Sequence, residues 1–406
     1  MTLDATPHLE RHRTPYDSWR SISLALYMAL VGYGVSVGIP VISTAWVELL
    51  GFSEVAVGRV AGADLGGMSL GALLTALIIA RSNRRYLILV GAGLAILSNA
   101  LCTVFVTYDE VLWLRLLAGV GSGIYTAVAV ASLGACSRPA QAYNMMLFAF
   151  AFSQALEMHI LPQLSMNGIY FTFIGAYALG LVVVHWIPPY PAEKKLDVGI
   201  DIPEHSGQHH VVHRHVPMYV PWLCLAAIVF SYTNIGAYWA YIELASLDAG
   251  IADAWIGSIL VWASFSSIAG CLIATVLSNR FGLARPLLGA LLTMVTIVGM
   301  LAFGINDINI LISVFGFNFL WVFVDVYQMS TIANVDHSGS FASLMPGAQG
   351  LGQIIGPNLA ASTLGAGFGY AGVFTMCALA AFTGMIIYAV MYLRLRNTIP
   401  ALADAS

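Results

Sequence analysis

The stretch FNFLWVFVDVYQ sets Asn318, Trp321, Asp325 and Gln328 at i, i+3, i+7 and i+10, so all four share one face of a helix. Two amides, an indole and a carboxylate on one face can hold a small organic molecule by hydrogen bonds and stacking. The carboxylate can also carry a proton. For Asn318 and Gln328 the alternative is hydrogen bonding between helices. A second stretch, FSQALEMHILPQ at residues 152–163, holds Gln154, Glu157 and His159. Each costs on the order of several kcal/mol to strand in hydrocarbon. Phe150, Gln154 and Glu157 fall at i, i+4 and i+7 on one face, whereas His159 points elsewhere and belongs to the rim. A carboxyl group in an apolar wall suits uptake and release of a proton, which makes Glu157 a specific candidate.

The stretch FSYTNIGAYWAYIELA places Asn234, Tyr238 and Tyr241 on one face, with Tyr232, Trp239 and Glu243 nearby. Aromatic side chains with polar tips suit a pocket for a ring or an amphipathic molecule. Tyr238 and Asn234 rank ahead of Glu243, because Tyr241 and Glu243 lie close to the outer surface. Tyr33 and Tyr125 complete the aromatic candidates, and Gln349 and Gln353 add amides on a face shared with Met345. VGRVAGADLGGMSLGALL contains Arg59 and Asp64, five residues apart and therefore badly spaced for a direct pair on one helix. Asp64 needs a partner on another helix, and Arg115 at comparable depth is a candidate. That pair is either a structural lock or a proton-sensitive gate.

These residues need a scaffold, and the composition defines its class. The chain has 406 residues, of which 59% are hydrophobic and 9% charged. Soluble domains carry roughly 25% charged residues, so lipid must cover most of this surface. Twelve segments are long and apolar enough to span a bilayer: 21–49, 56–80, 86–106, 110–133, 141–162, 166–188, 219–247, 253–278, 284–305, 308–333, 340–364 and 368–393. The expected organisation is a tail at 1–20, a six-helix bundle at 21–188, a polar linker at 189–218, a second six-helix bundle at 219–393 and a tail at 394–406. With both termini inside, 14 of the 16 basic residues fall in inner loops and tails, the exceptions being Arg59 and Arg115. This asymmetry predicts cytoplasmic termini in a cell-membrane protein. No cleavable apolar leader is read in the first 20 residues.

A constant shift of 199 residues brings Gly58 onto Gly257, Gly71 onto Gly270, Arg81 onto Arg280 and Gln154 onto Gln353. The shift predicts two bundles related by a pseudo-twofold axis, with a binding site between them near mid-membrane. On these features the chain resembles the major facilitator superfamily. The loop after span 2, ALIIARSNRR with Arg81 and Arg84, resembles that family's first signature in degenerate form, and TVLSNRFGLAR with Arg280 resembles it more closely. RLLAGVGSG resembles the second signature, with Arg115 as its arginine and Gly119, Gly121 and Gly123 as its glycines. The resemblance implies a gating role for Arg81, Arg84, Arg280, Gly119 and Gly123, and a link to proton coupling for Arg115. The glycines also have a plainer role, close helix packing. Span 5 lacks the Gly-Pro element usual in drug–proton antiporters of the family, and Glu157 and His159 occupy that region.

The cluster His205, His209, His210, His213 and His215 lies in the linker and matches no closed zinc site, so a solvated linker is expected. Five scattered cysteines read as packing residues. No nucleophile–base pair, phosphate loop or metal cluster suggests an enzyme, and no cofactor or nucleic acid is expected. The reading is a monomeric, all-α secondary transporter of a small organic solute, aromatic or carboxylate-bearing. Protons on Asp64, Glu157 or Asp325 would drive its uptake. Efflux of a hydrophobic compound and a non-transporting receptor of the same fold are the alternatives.

Overall fold

The computed structural model describes residues 15–79, 81–136, 139–190, 219–281, 284–335 and 344–398. Among them run thirteen α-helices: α1 (Trp19–Leu50), α2 (Glu54–Ile78), α3 (Arg84–Cys102), α4 (Tyr108–Gly134), α5 (Pro139–Ile160), α6 (Met166–Val182), α7 (Tyr219–Asp248), α8 (Asp253–Ala263), α9 (Ser266–Phe281), α10 (Ala284–Gly299), α11 (Asp307–Val335), α12 (Met345–Gly365) and α13 (Gly369–Thr398). No strand occurs among the described residues. In hydrocarbon a backbone must satisfy its own hydrogen bonds, which a helix does within one segment. Among the described residues, ten segments are long and apolar enough by themselves to cross a membrane. Helix α6 has 17 residues, and α12 carries the Gln, Asn and Gly residues of MPGAQGLGQIIGPNLAASTLG. The His205–His215 cluster lies outside the described residues.

The expected eighth span is two helices, α8 and α9, parted at Ser264–Phe265. No proline breaks it. The local run WASFSS supplies hydroxyls that bond nearby carbonyls: Ser264 to Leu260, Ser267 to Ser264, and Ser266 to both Ala263 and Phe315. Backbone bonds there tighten to the i+3 pattern, from Phe265 to Trp262 and from Ile268 to Phe265.

The internal repeat has a packing counterpart. A Cβ on Gly71 would strike the carbonyl of Val120, and one on Gly270 would strike the carbonyl of Phe319. The glycines and their partners are each offset by the same 199 residues. The α2–α4 crossing in the first half therefore recurs as the α9–α11 crossing in the second. The correspondence fails at Gly58, which is closely packed against Tyr241, Pro357 and Ala361, whereas Gly257 faces open space.

Because successive spans alternate in direction, one end of the bundle carries residues 15–18 and 398, and is here the termini end. The other, with Gly51 and Gly250 in left-handed turns, is the far end. Helices α2 and α12 pack closely between the halves, α1 meets α7, and α5 meets α8 and α9 and reaches α11 through Gln154. Gly62 and Gly66 of α2 take Asn358 and Ile354 of α12 into the space a side chain would fill.

Candidate functional site

At mid-bundle, the seam between the halves collects the polar side chains of five helices. Gln154 on α5 donates through Nε2 to Oδ1 of Asn318 on α11 at 2.9 Å, an amide bridge from one half to the other. Asn318 in turn donates to the Val314 carbonyl at 3.0 Å, so the amide orientation is held from below. Two helical turns along, Asp325 accepts from the Tyr232 hydroxyl of α7 at 3.0 Å and from Gln349 Nε2 of α12 at 2.9 Å, both at Oδ1. Asp325, Trp321, Tyr33 and Phe150 are only partly buried although they sit in the central turns of spanning helices, and Gln349, near the start of α12, is partly buried too. Tyr33 of α1 meets Phe150 of α5 edge to face at 5.3 Å, and Trp321 lies 6.2 Å from Trp239. Polar and aromatic groups partly exposed at that depth, on helices facing one another across the two halves, form the candidate site.

Glu157 sits in the first half, on the α1 side of α5. Its carboxyl fits a niche made by Gly34 and Gly38: a Cβ on Gly38 would lie 2.9 Å from Oε2, and one on Gly34 3.3 Å from Oε1. The Ser153 hydroxyl donates to Oε1 at 3.3 Å, while Oε2 is buried without a hydrogen-bond partner. No described cationic side chain pairs with it. A carboxyl so placed is suited to hold a proton, which gives the orphan oxygen an O–H donor.

Asp64 and Arg115 form a separate, buried network. Arg115 donates from Nε and Nη2 to Asp64 Oδ2 at 2.7 and 2.5 Å, and from Nη1 to Asn99 Oδ1 at 2.7 Å. Its guanidinium also lies 5.9 Å from the Tyr170 ring, and both charged side chains are buried. The network lies among α2, α3, α4 and α6, inside the first half and away from the seam. Sequence reasoning did not name Asn99, whose only signal is a buried amide one face away on span 3. Gly119 seats on the Asp64 carbonyl, and Gly123 on that of Met68, so the glycine run brings α4 onto α2 at the depth where the pair forms.

Several expected binding residues are placed elsewhere. Tyr125 is fully buried against Tyr177, ring centroids 5.1 Å apart, inside the first half. Tyr238 is fully buried too, stacked on Phe317 at 3.9 Å and bonded to Ser313 at 2.9 Å. Gln328 donates to Ser231 of α7 at 2.8 Å and has no exposed face. All three are packed inside a single half in this structure. Helical periodicity identifies a shared face, but it cannot tell a face turned to a cavity from one packed on a neighbouring helix. Asn234 is buried with its Oδ1 unpartnered, and Gln353 packs beside Gly236. Trp239 closes the seam, donating from its indole to the Val37 carbonyl of α1 at 3.1 Å. His159 is exposed at the far end, and Glu243 is buried there with Oε2 unpartnered.

The paired bases act on the chain that leads to the linker. Arg85 donates to the carbonyls of Ile187 and His185, both at 2.7 Å, and the Arg84 backbone N–H donates to Pro189. The Arg84 guanidinium lies over the Tyr16 ring at 4.6 Å, and the Tyr16 hydroxyl donates to the Tyr190 carbonyl at 2.7 Å. Arg81 is exposed, and the side chain of Arg280 lies outside those described. A recess of about 440 Å³ beside Arg59 and Tyr108 opens at the far end, away from the seam.

The family model described as Major Facilitator Superfamily matches residues 24–357, over four-fifths of the 406-residue chain. Among curated proteins none matches the sequence. The crystal structure of the nucleoside transporter NupG is similar with a TM-score of 0.67 and 11% identity, covering 91% of this chain and 99% of that one. The human organic anion transporter MFSD10 is similar with a TM-score of 0.62 and 14% identity, over the same shares. At such identities the likeness is one of fold.

Proposed function

We propose that this chain, which belongs to the Major Facilitator Superfamily, is a secondary transporter that takes up a small, ring-bearing organic solute together with protons. The observation that carries this reading is the seam itself. The Gln154–Asn318 bridge joins the two halves beside the partly exposed Tyr33, Phe150, Trp321 and Asp325. Such a junction supplies flat apolar faces for a ring and amide and carboxylate groups for its polar edge, and it must rearrange when the halves tilt. All six described hydrogen bonds between the halves lie on the far-end side of their helix centres, at Val37, Glu54, Arg59 and Gln154 of the first half. That distribution fits an interior reached from the termini end. With cytoplasmic termini, the proposed topology in the cell membrane, this is the solute-releasing state of an importer.

Glu157 is the proposed proton carrier, since its orphan oxygen and glycine niche suit a group that alternates between protonated and ionised forms. Asp64 is held by Arg115 and acts in this scheme as a positioning group. The test is uptake into proteoliposomes carrying the purified protein, with an inward proton gradient and a panel of ring-bearing metabolites. Gradient-dependent accumulation of a panel member supports the proposal. Saturable binding without flux would favour a receptor of the same fold, and accumulation only when the gradient is reversed would favour efflux.

A further inference from the structure

Charges at the seam are of one sign. Asp325 is the ionisable carboxyl at its mid-bundle level, Glu157 lying in its glycine niche inside the first half, and no described cationic side chain pairs with either. Arg115 is engaged by Asp64 and Asn99 inside the first half, and Arg59 is engaged at the far end by Asn358 and Ser362. Asp325 is partly exposed, and the two hydrogen bonds it accepts both fall on Oδ1 and come from neutral groups. Oδ2 is thus left for a ligand. A carboxylate at mid-membrane depth is stabilised far more by a counter-charge than by neutral donors. The neighbouring rings of Trp321, Tyr33 and Phe150 present π faces that attract an organic cation and give no such attraction to an anion.

Resting on the transporter reading above, we infer that the solute is a ring-bearing organic cation, a protonated amine whose charge sits on Asp325 while its ring lies among Trp321, Tyr33 and Phe150. A carboxylate-bearing solute, the other class suggested by the sequence, would bring a second negative group beside Asp325 with no described cation to receive it. Tyr232 and Gln349 are positioning residues: they hold Oδ1 and so turn Oδ2 towards the solute.

The test uses three probes that share one bicyclic ring: 1-naphthylmethylammonium, 1-naphthalenemethanol and 1-naphthylacetate. Each is titrated against the full-length detergent-purified protein by isothermal titration calorimetry. The expected result is ammonium binding at least about tenfold tighter than the alcohol, and carboxylate binding weaker than either. Asp325→Asn should bring the ammonium down to the alcohol's affinity and leave the alcohol unchanged. Asp325→Glu should keep the preference, which separates loss of charge from loss of fold. Absence of saturable ammonium binding overturns the inference, as does tightest binding of the carboxylate or an unchanged preference in Asp325→Asn. Flux of the same probes in proteoliposomes separates the two readings. Cation-selective binding without flux removes the transporter and keeps the cation site. Flux that prefers the anion removes the cation site and keeps the transporter.

Discussion

Arg59 on α2 donates through one amino group to both the backbone carbonyl and the side-chain oxygen of Asn358 on α12, at 3.1 and 2.9 Å, and through the other to Ser362 at 2.9 Å. One guanidinium therefore ties the two halves together at the far end, where Tyr241 also reaches the Glu54 carbonyl at 2.7 Å. Hydrogen bonds to a charged donor contribute about 1.5–3 kcal/mol each. Arg59→Gln should shift the balance towards far-end opening, by roughly 30-fold for a loss of about 2 kcal/mol. The measurement is labelling of Ala361→Cys, a buried position facing Gly58, by a water-soluble maleimide. Faster labelling with Arg59→Gln is expected, and an unchanged rate would remove the latch.

Removing Arg115 should be worse than removing both partners. Arg115→Gln leaves the Asp64 carboxylate buried and unpaired, a cost of about 3–5 kcal/mol. Adding Asp64→Asn replaces that charge with an amide and should recover a large part of the loss. Thermal unfolding of the two variants in one detergent checks this. Equal or lower stability of the double variant would contradict it.

Glu157→Gln should fold normally, because the niche accepts an amide of the same size. It should lose gradient-driven accumulation but keep exchange of solute between the two sides. Gly38→Ala places a methyl 2.9 Å from Oε2 and should weaken gradient-driven uptake with the carboxyl still present. Transport assays run with and without a proton gradient distinguish these losses. Normal accumulation by Glu157→Gln would transfer the proton role to another group.

The repeat makes a stability prediction. Gly71→Ala and Gly270→Ala each push a methyl into a backbone carbonyl of the crossing helix, which should cost about 1–3 kcal/mol. Gly257→Ala, at a helical position with open space around it, should be neutral or slightly stabilising. Unfolding temperatures of the three variants, compared side by side, measure the difference. A harmful Gly257→Ala would break the contrast.

What the sequence by itself determined is the membrane-spanning all-helical class, the two sets of six spans and the 199-residue repeat. These depend on composition and local periodicity, which every residue expresses through its own preference for lipid or water. It also brought out Asp64, Arg115, Glu157 and Asp325, because a charge inside an apolar run stands out wherever the helix goes. Only the tertiary structure decided what each of them meets. It put Arg115 on Asp64 and Asn99, left Glu157 with an open oxygen beside two glycines, and turned Asp325 to the seam. It also withdrew Tyr125, Tyr238 and Gln328 into the packing of single halves. A helical face is a property of spacing. The direction in which that face turns is set by rotation about the helix axis, and that rotation is chosen by contacts between helices distant in sequence.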